Sequence, residues 1–287
     1  MKLLNALFLI FAFAGCHAQE DVKQALTEPQ LKRISYISEL DSTERDYFIY
    51  LPKGYRNDTT KTWPVLLHLH GNGERGNGKS DLIWLTKHGP LMEAWVQKRD
   101  LPFIIIVPQL QMLGMDTVKS YIANRDTNTI PKRLKVGVPE RIPVNKTANF
   151  KGPKPTPLPY PKEGNIRGWN LVETDLLEIV KNTQQHFRGN PNQTYLTGLS
   201  YGGFGTWYMG STHPNTFAAI APVCAWGHPD LMENIVVQNL PVWCFAGEKD
   251  RTIQLKHFKP GFDKLEELGY ENYKFTVVPN VGHDVWK

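Results

Sequence analysis

Apolar and polar positions along the 287-residue chain alternate with two periods, one short and strand-like, the other close to helical. Residues 32–52 hold two mixed runs, Ile34-Ser35-Tyr36-Ile37 and Tyr47-Phe48-Ile49-Tyr50-Leu51, parted by the polar Asp41-Ser42-Thr43. This predicts a hairpin of exposed strands at a sheet edge. Trp63 to His70 and Phe103 to Pro108 are almost continuously apolar, the pattern of strands covered on both faces. Between them Leu82, Leu85, Leu91, Met92, Trp95 and Val96 recur near helical spacing over residues 80–98, with a break at Gly89-Pro90.

The alternation continues to the end of the chain. A helix-like face spans residues 170–187, followed by a strand at 194–197 and a glycine-rich turn; further strands fall at 217–223, 241–245 and 273–278, with helical stretches at 230–238 and 262–268. Strands alternating with helices predict an α/β protein: a mostly parallel sheet flanked by helices on both faces, with functional groups along the edge where the strand C-termini lie. A chain of this length buries one substantial core, so residues 19–287 are expected to form a single catalytic domain.

The first residues change the picture. Lys2 followed by the apolar run Leu3 to Ala14, too short to span a bilayer, predicts an export signal over residues 1–18 and a location outside the cytosol, in a bacterial envelope, periplasm or medium. Phe13-Ala14-Gly15-Cys16 resembles a bacterial lipobox with Phe in place of the usual Leu. Lipidation of Cys16, which would be the chain's link to a membrane, and simple cleavage after Ala18 both fit. Cys224 and Cys244 are the remaining cysteines, so no disulfide framework is expected, and both read as buried thiols in apolar runs. The net charge of +5 is concentrated: residues 110–168 carry eleven Lys or Arg against four Asp or Glu. One basic segment argues against a nucleic-acid footprint over the whole protein.

Gly198-Leu199-Ser200-Tyr201-Gly202 is a G-x-S-x-G pentapeptide between a predicted strand and a helical stretch from Phe204. A strand that turns abruptly into a helix strains its corner residue, and glycines two positions either side remove the collisions side chains would make there. Ser200 would stand raised at the positive end of the helix, as a nucleophile does. A serine hydroxyl needs a neutral imidazole to take its proton. His283, in the turn after the last strand, fits; His68, His70, His88, His186, His213, His228 and His257 fall within strands or on helices and their flanks. The acid that orients the base is expected at Asp250, just past a strand end, with Glu248 as its competitor. The order Ser200, Asp250, His283 is the one this kind of fold requires. The oxyanion would be held by the amide of Tyr201 and that of Asn72 in His70-Gly71-Asn72-Gly73, with Gly73 as fallback. His68-x-His70 lacks a third ligand nearby, so neither a metal nor a cofactor is expected.

Together, His70-Gly71-Asn72-Gly73-Glu74-Arg75-Gly76, Val107-Pro108-Gln109, Gly198 to Gly203 and Val281-Gly282-His283-Asp284 resemble the secreted esterases of the α/β-hydrolase superfamily, in the polyhydroxybutyrate depolymerase and feruloyl-esterase-like branch. The resemblance covers residues 45–109 and 169–287. It implies an α/β-hydrolase fold and cofactor-free hydrolysis of carboxylic esters through a Ser-His-Asp triad, on small-molecule or polysaccharide esters, acyl or feruloyl. Residues 110–168 depart from the pattern: they hold eight of the 21 prolines, and Trp169 looks like the tryptophan that a short link normally reaches. A long irregular loop is expected there, either a lid rooted at the catalytic edge, suited by charge to an acidic polymer, or a solvated segment. The chain stops four residues after His283, where such hydrolases continue into a final helix, which predicts a weakly supported histidine loop. Two other functions share these residues: a prolyl-oligopeptidase-like serine peptidase, and an inactive hydrolase-fold protein that binds carbohydrate at the cell surface. In the last, Trp84, Trp169, Trp207 and Trp226 would be stacking platforms; Trp226, past a strand end, is the best candidate for a substrate-pocket wall. Oligomeric state does not follow from the sequence.

Overall fold

The computed structural model describes residues 27–135, 157–162 and 168–286; the export signal with Cys16, and residues 136–156 and 163–167 of the insertion, lie outside the described residues. Eight strands form one sheet in the order β1-β2-β4-β3-β5-β6-β7-β8: Gln30–Ile37, Glu44–Leu51, Trp63–Leu69, Ile104–Val107, Gly189–Leu199, Ala219–Val223, Val242–Gly247 and Tyr273–Val278 for β1 to β8. β1 and β2 pair antiparallel with each other and β2 with β4, whereas β4, β3 and β5 to β8 run parallel. The mostly parallel sheet is the one expected. The hairpin departs from expectation in one respect: β2 is buried along nearly its whole length. The sheet continues past it through β4, so Tyr47, Ile49 and Leu51 face one core while Phe48 and Tyr50 face the other.

The two faces are covered unequally. On one, α3 (Glu173–His186), α4 (Tyr201–Thr212), α5 (Met232–Val237) and α6 (Lys259–Glu267) bring Leu176, Trp207, Ile235 and Leu265 onto Val65, Leu67, Leu196 and Cys244 of the strands. Each such side chain contributes about 1.5–3 kcal/mol through burial. On the other face residues 80–96 cover β2 and β4 with Leu82, Leu85, Leu91 and Ala94. Gly89-Pro90 divides this segment, as expected, but into a 3₁₀ helix (Ser80–Thr86) and a π turn (Met92–Val96) in place of one α-helix. Beyond β3 the second face carries the half-exposed Tyr195, Ala221 and Trp243.

The insertion corrects the expectation of an irregular loop over its described first half. Residues 110–135 form two single-turn helices, α1 (Met115–Val118) and α2 (Ser120–Ala123), and a 3₁₀ turn at Thr127–Thr129. Leu110, Met115 and Ile122 are buried while Val118, Tyr121 and Leu134 stay exposed, and the Gln97 side chain ties Lys132 and Leu134 to the 80–96 segment. No helix among the described residues is long and apolar enough to cross a membrane.

Candidate active site

Ser200 occupies the corner between β5 and α4 with φ 52° and ψ −111°. A residue with positive φ is strained unless its surroundings hold it. Here the Ser200 amide donates to the Val223 carbonyl at 2.8 Å, and the next turn of α4 closes onto the Ser200 carbonyl through the amides of Gly203 and Phe204. A side chain at Gly198 would run into the Gly202 carbonyl, and one at Gly202 into the Leu69 carbonyl, so the corner closes only with glycine at both positions.

The structure brings Ser200, His283 and Asp250 together. His283 Nε2 lies 2.8 Å from Ser200 Oγ, and its Nδ1 lies 2.7 Å from Asp250 Oδ2. A carboxylate only accepts, so Nδ1 carries the ring hydrogen and Nε2 accepts from the serine hydroxyl. Asp250 is itself oriented: its Oδ1 accepts the amides of Thr252 and Ile253, both at 2.8 Å. Glu248 is turned away from the His283 ring; its Oε2 accepts the Asn280 amide at 2.7 Å, fixing the turn that leads to His283.

The histidine loop is well held, contrary to the expectation from the chain's end. The Lys249 amide donates to Val281 O, the Cys224 thiol donates to the His283 carbonyl at 3.1 Å, and Trp286 sets its ring at right angles to the His283 imidazole, 5.2 Å between centroids. Burial pushes the Cys224 thiol up to about 12, so it stays a donor. Cys244 is also buried and unbridged, its thiol near the Ala225 carbonyl. The described residues hold one group of metal-ligating type, Cys224, Asp250 and His283, and its donor atoms are the ones already engaged in these contacts.

Ser200 and His283 open into a cleft of about 420 Å³ whose wall includes Gly71, Asn72 and Gly73. The Tyr201 amide opens α4, where the first amides of a helix point outward along the axis. Both stretches expected to bind an oxyanion thus border Ser200. Sequence reasoning missed six other lining residues: Lys87, His88, Tyr121, Arg125, Thr252 and Trp286. Tyr121 and Arg125 come from the insertion. Arg125 donates from Nη1 to the carbonyls of Gly73 and Arg75 and stands 4.8 Å over the Trp84 ring, clamping the insertion to the loop after β3. Apolar residues are scattered through this stretch without a period that marks the buried ones, so the sequence carried no clear signal that it packs here.

Trp226 corrects the reading of it as a pocket wall. It is 2% exposed, stacked on Tyr160 from the far end of the insertion at 5.9 Å and edge-on to Phe204, away from the cleft. Trp84, Trp169 and Trp207 are buried as well and offer no stacking platform. Trp169 packs edge-on against His70 at 4.8 Å. Of the two strand histidines, His70 accepts the Leu110 amide at Nε2 and donates from Nδ1 to Gly71 O; His68 is buried with neither ring nitrogen hydrogen-bonded. Desolvation lowers both to about 3, so both are neutral. Glu74, also lining the cleft, is raised by burial to about 7, with Lys87 pulling the other way; His88 Nε2 lies 3.7 Å from its Oε1.

No family model and no curated protein matches the sequence. The fold is similar to that of solved structures. A thermostable esterase superposes with TM-score 0.54 at 19% identity, covering 87% of this chain, which spans 55% of that one. A CE1 ferulic acid esterase from Anaeromyces mucronatus gives 0.52 at 20% identity, covering 90% and 85% of the two chains, and S-formylglutathione hydrolase from Staphylococcus aureus gives 0.54 at 14%, covering 90% and 91%. At these identities the likeness is one of fold, and the chain has the α/β-hydrolase fold.

Proposed function

We propose that this chain is a serine carboxylic-ester hydrolase, with Ser200 as nucleophile, His283 as general base and acid, and Asp250 as the group that orients the imidazole. One observation carries the reading: an unbroken hydrogen-bond chain from Ser200 Oγ through His283 to Asp250, opening into a cleft. His283 Nε2 takes the hydroxyl proton as Oγ attacks the ester carbonyl, and Asp250 balances the charge on the imidazolium. The amides of Tyr201 and Asn72 stabilise the oxyanion. Collapse of the tetrahedral intermediate breaks the bond to the alcohol, which leaves with the proton from Nε2. Water, deprotonated by the same nitrogen, then attacks the acyl-Ser200 ester and releases the acid. No step calls on a metal or cofactor.

The cleft volume lies within the roughly 300–1,000 Å³ typical of small-ligand sites, and it suits one acyl or aryl-acyl group. Ferulic acid esterases among proteins of similar fold support feruloyl or other acyl esters of polysaccharides as the substrate class. The catalytic domain spans residues 19–287; the chain is exported through its apolar N-terminal segment and cleaved before Cys16, which becomes the lipid-bearing N-terminus. Purified protein should hydrolyse p-nitrophenyl acetate and methyl ferulate, with the rate lost in Ser200→Ala by about 10⁴-fold or more. Equal rates in the two proteins, or preference for peptide anilides, would reject the esterase. Cys16→Ala should move the exported protein from the membrane fraction to the soluble one; unchanged partition would reject the anchor.

A further inference from the structure

The two amides assigned to the oxyanion come from segments far apart in sequence, the turn after β3 and the first residue of α4. Their separation decides whether both reach one oxygen, and catalytic hydrogen bonds lose much of their value when misplaced by an ångström. One side chain touches both segments. Arg75 is fully buried; its Nε donates to Asn72 Oδ1 at 2.6 Å, its guanidinium lies 4.6 Å over the Tyr201 ring and is hydrogen-bonded to that side chain, and its Nη1 donates to the Gln111 carbonyl at 2.7 Å. The Asn72 side chain is held from its other end as well, since its Nδ2 donates to Tyr121 Oη at 2.7 Å. We propose that Arg75 is a positioning residue that fixes the spacing of the Asn72 and Tyr201 amides, and that the insertion, through Gln111 and Tyr121, completes the clamp.

The chemistry of the side chain favours this role over simple filling. Burying a guanidinium is costly, and an apolar chain of the same volume would serve packing as well or better. What arginine adds is a rigid planar fork that donates in several directions at once and stacks on an aromatic face, which lysine cannot reproduce. The three directions here end on the loop carrying Asn72, the residue carrying the second amide, and the root of the insertion.

The inference rests on the esterase reading, and its test separates the two. Steady-state kinetics on p-nitrophenyl acetate would be measured for wild type, Ser200→Ala, Arg75→Lys, Arg75→Met, Arg75→Ala, Asn72→Ala and the double variant Asn72→Ala/Arg75→Lys. The expected result is a fall in kcat of about 10²-fold in Arg75→Lys and Arg75→Met, by analogy with loss of one oxyanion donor, with KM changed less than about threefold. In Arg75→Ala, millimolar guanidinium should restore part of the lost kcat, which a general loss of packing would not allow. Asn72→Ala keeps its backbone amide but loses the anchor. It should show the same split, and its effect should not add to that of Arg75→Lys. If an Arg75 variant does not fold, Asn72→Ala alone decides. Wild-type hydrolysis retained within about threefold by folded Arg75 or Asn72 variants overturns the positioning role and leaves the esterase standing. An inactive wild type, or activity surviving in Ser200→Ala, overturns the esterase and this inference with it.

Discussion

The loops that follow β3 and β8 both end at the cleft, and each presents a histidine with both ring nitrogens hydrogen-bonded. Their partners make them opposites. His70 sits between a backbone carbonyl and a backbone N–H at 2% exposure. Protonating it would set a second N–H against the Leu110 amide, so the ring is locked neutral, and burial lowers it to about 3. His283 sits between a carboxylate and a hydroxyl with 27% of its side chain open to the cleft. A proton arriving at its Nε2 is balanced by Asp250 at the other nitrogen. The same side chain is a structural pin in one loop and, on the proposed function, a proton carrier in the other, because the charge of the partner, and not burial alone, decides which protonation states are reachable.

That contrast can be broken most severely at the base. His283→Ala should lower kcat by about 10⁴-fold while leaving the thermal midpoint near that of wild type, since the imidazole is partly exposed and its loop keeps the Cys224 and Glu248 contacts; a large drop in midpoint would mean the loop depends on the ring. His70→Leu should do the reverse in kind. Leaving the Leu110 amide and the Gly71 carbonyl unpaired in the interior costs about 3 kcal/mol, visible as a denaturant midpoint shift. An unshifted midpoint would show that the pin is dispensable.

A smaller change per step is expected in the slope of stability with pH. His68 and His70 titrate near 3 in the folded protein and near the ordinary 6.5 when unfolded, so between those limits the unfolded chain binds more protons. Stability therefore falls as pH falls from 6.5 towards 3, by about 1.4 kcal/mol per pH unit for each histidine. Glu74 opposes them: raised from the ordinary 4.5 to about 7, it binds more protons folded, and its contribution falls as pH rises from 4.5 to 7. Between pH 4.5 and 6.5 the net slope should match about one histidine. Urea titrations should find a steeper slope in Glu74→Gln and almost none in His68→Leu. Identical slopes in all three proteins would exclude these groups as its source.

Much of the site was legible because its chemistry is local. The strained corner at Ser200 demands glycine at 198 and 202, and Asp250 and His283 each follow a strand whose apolar run marks it, so residue type and position relative to the strands singled out three side chains that the fold brings into hydrogen-bond contact. The strand alternation likewise determined a mostly parallel sheet. What the tertiary structure alone decided are contacts between segments distant in sequence. β2 is buried because β4 pairs beyond it; Trp226 is closed off because Tyr160 stacks on it. Glu248, the competitor of Asp250 in sequence, holds the turn before His283 in place of the ring. Arg75 looks like any loop arginine until Asn72, Gln111 and Tyr201 are brought around it. Periodicity reports which face of an element is buried; which partner buries it depends on pairings that only the folded chain makes.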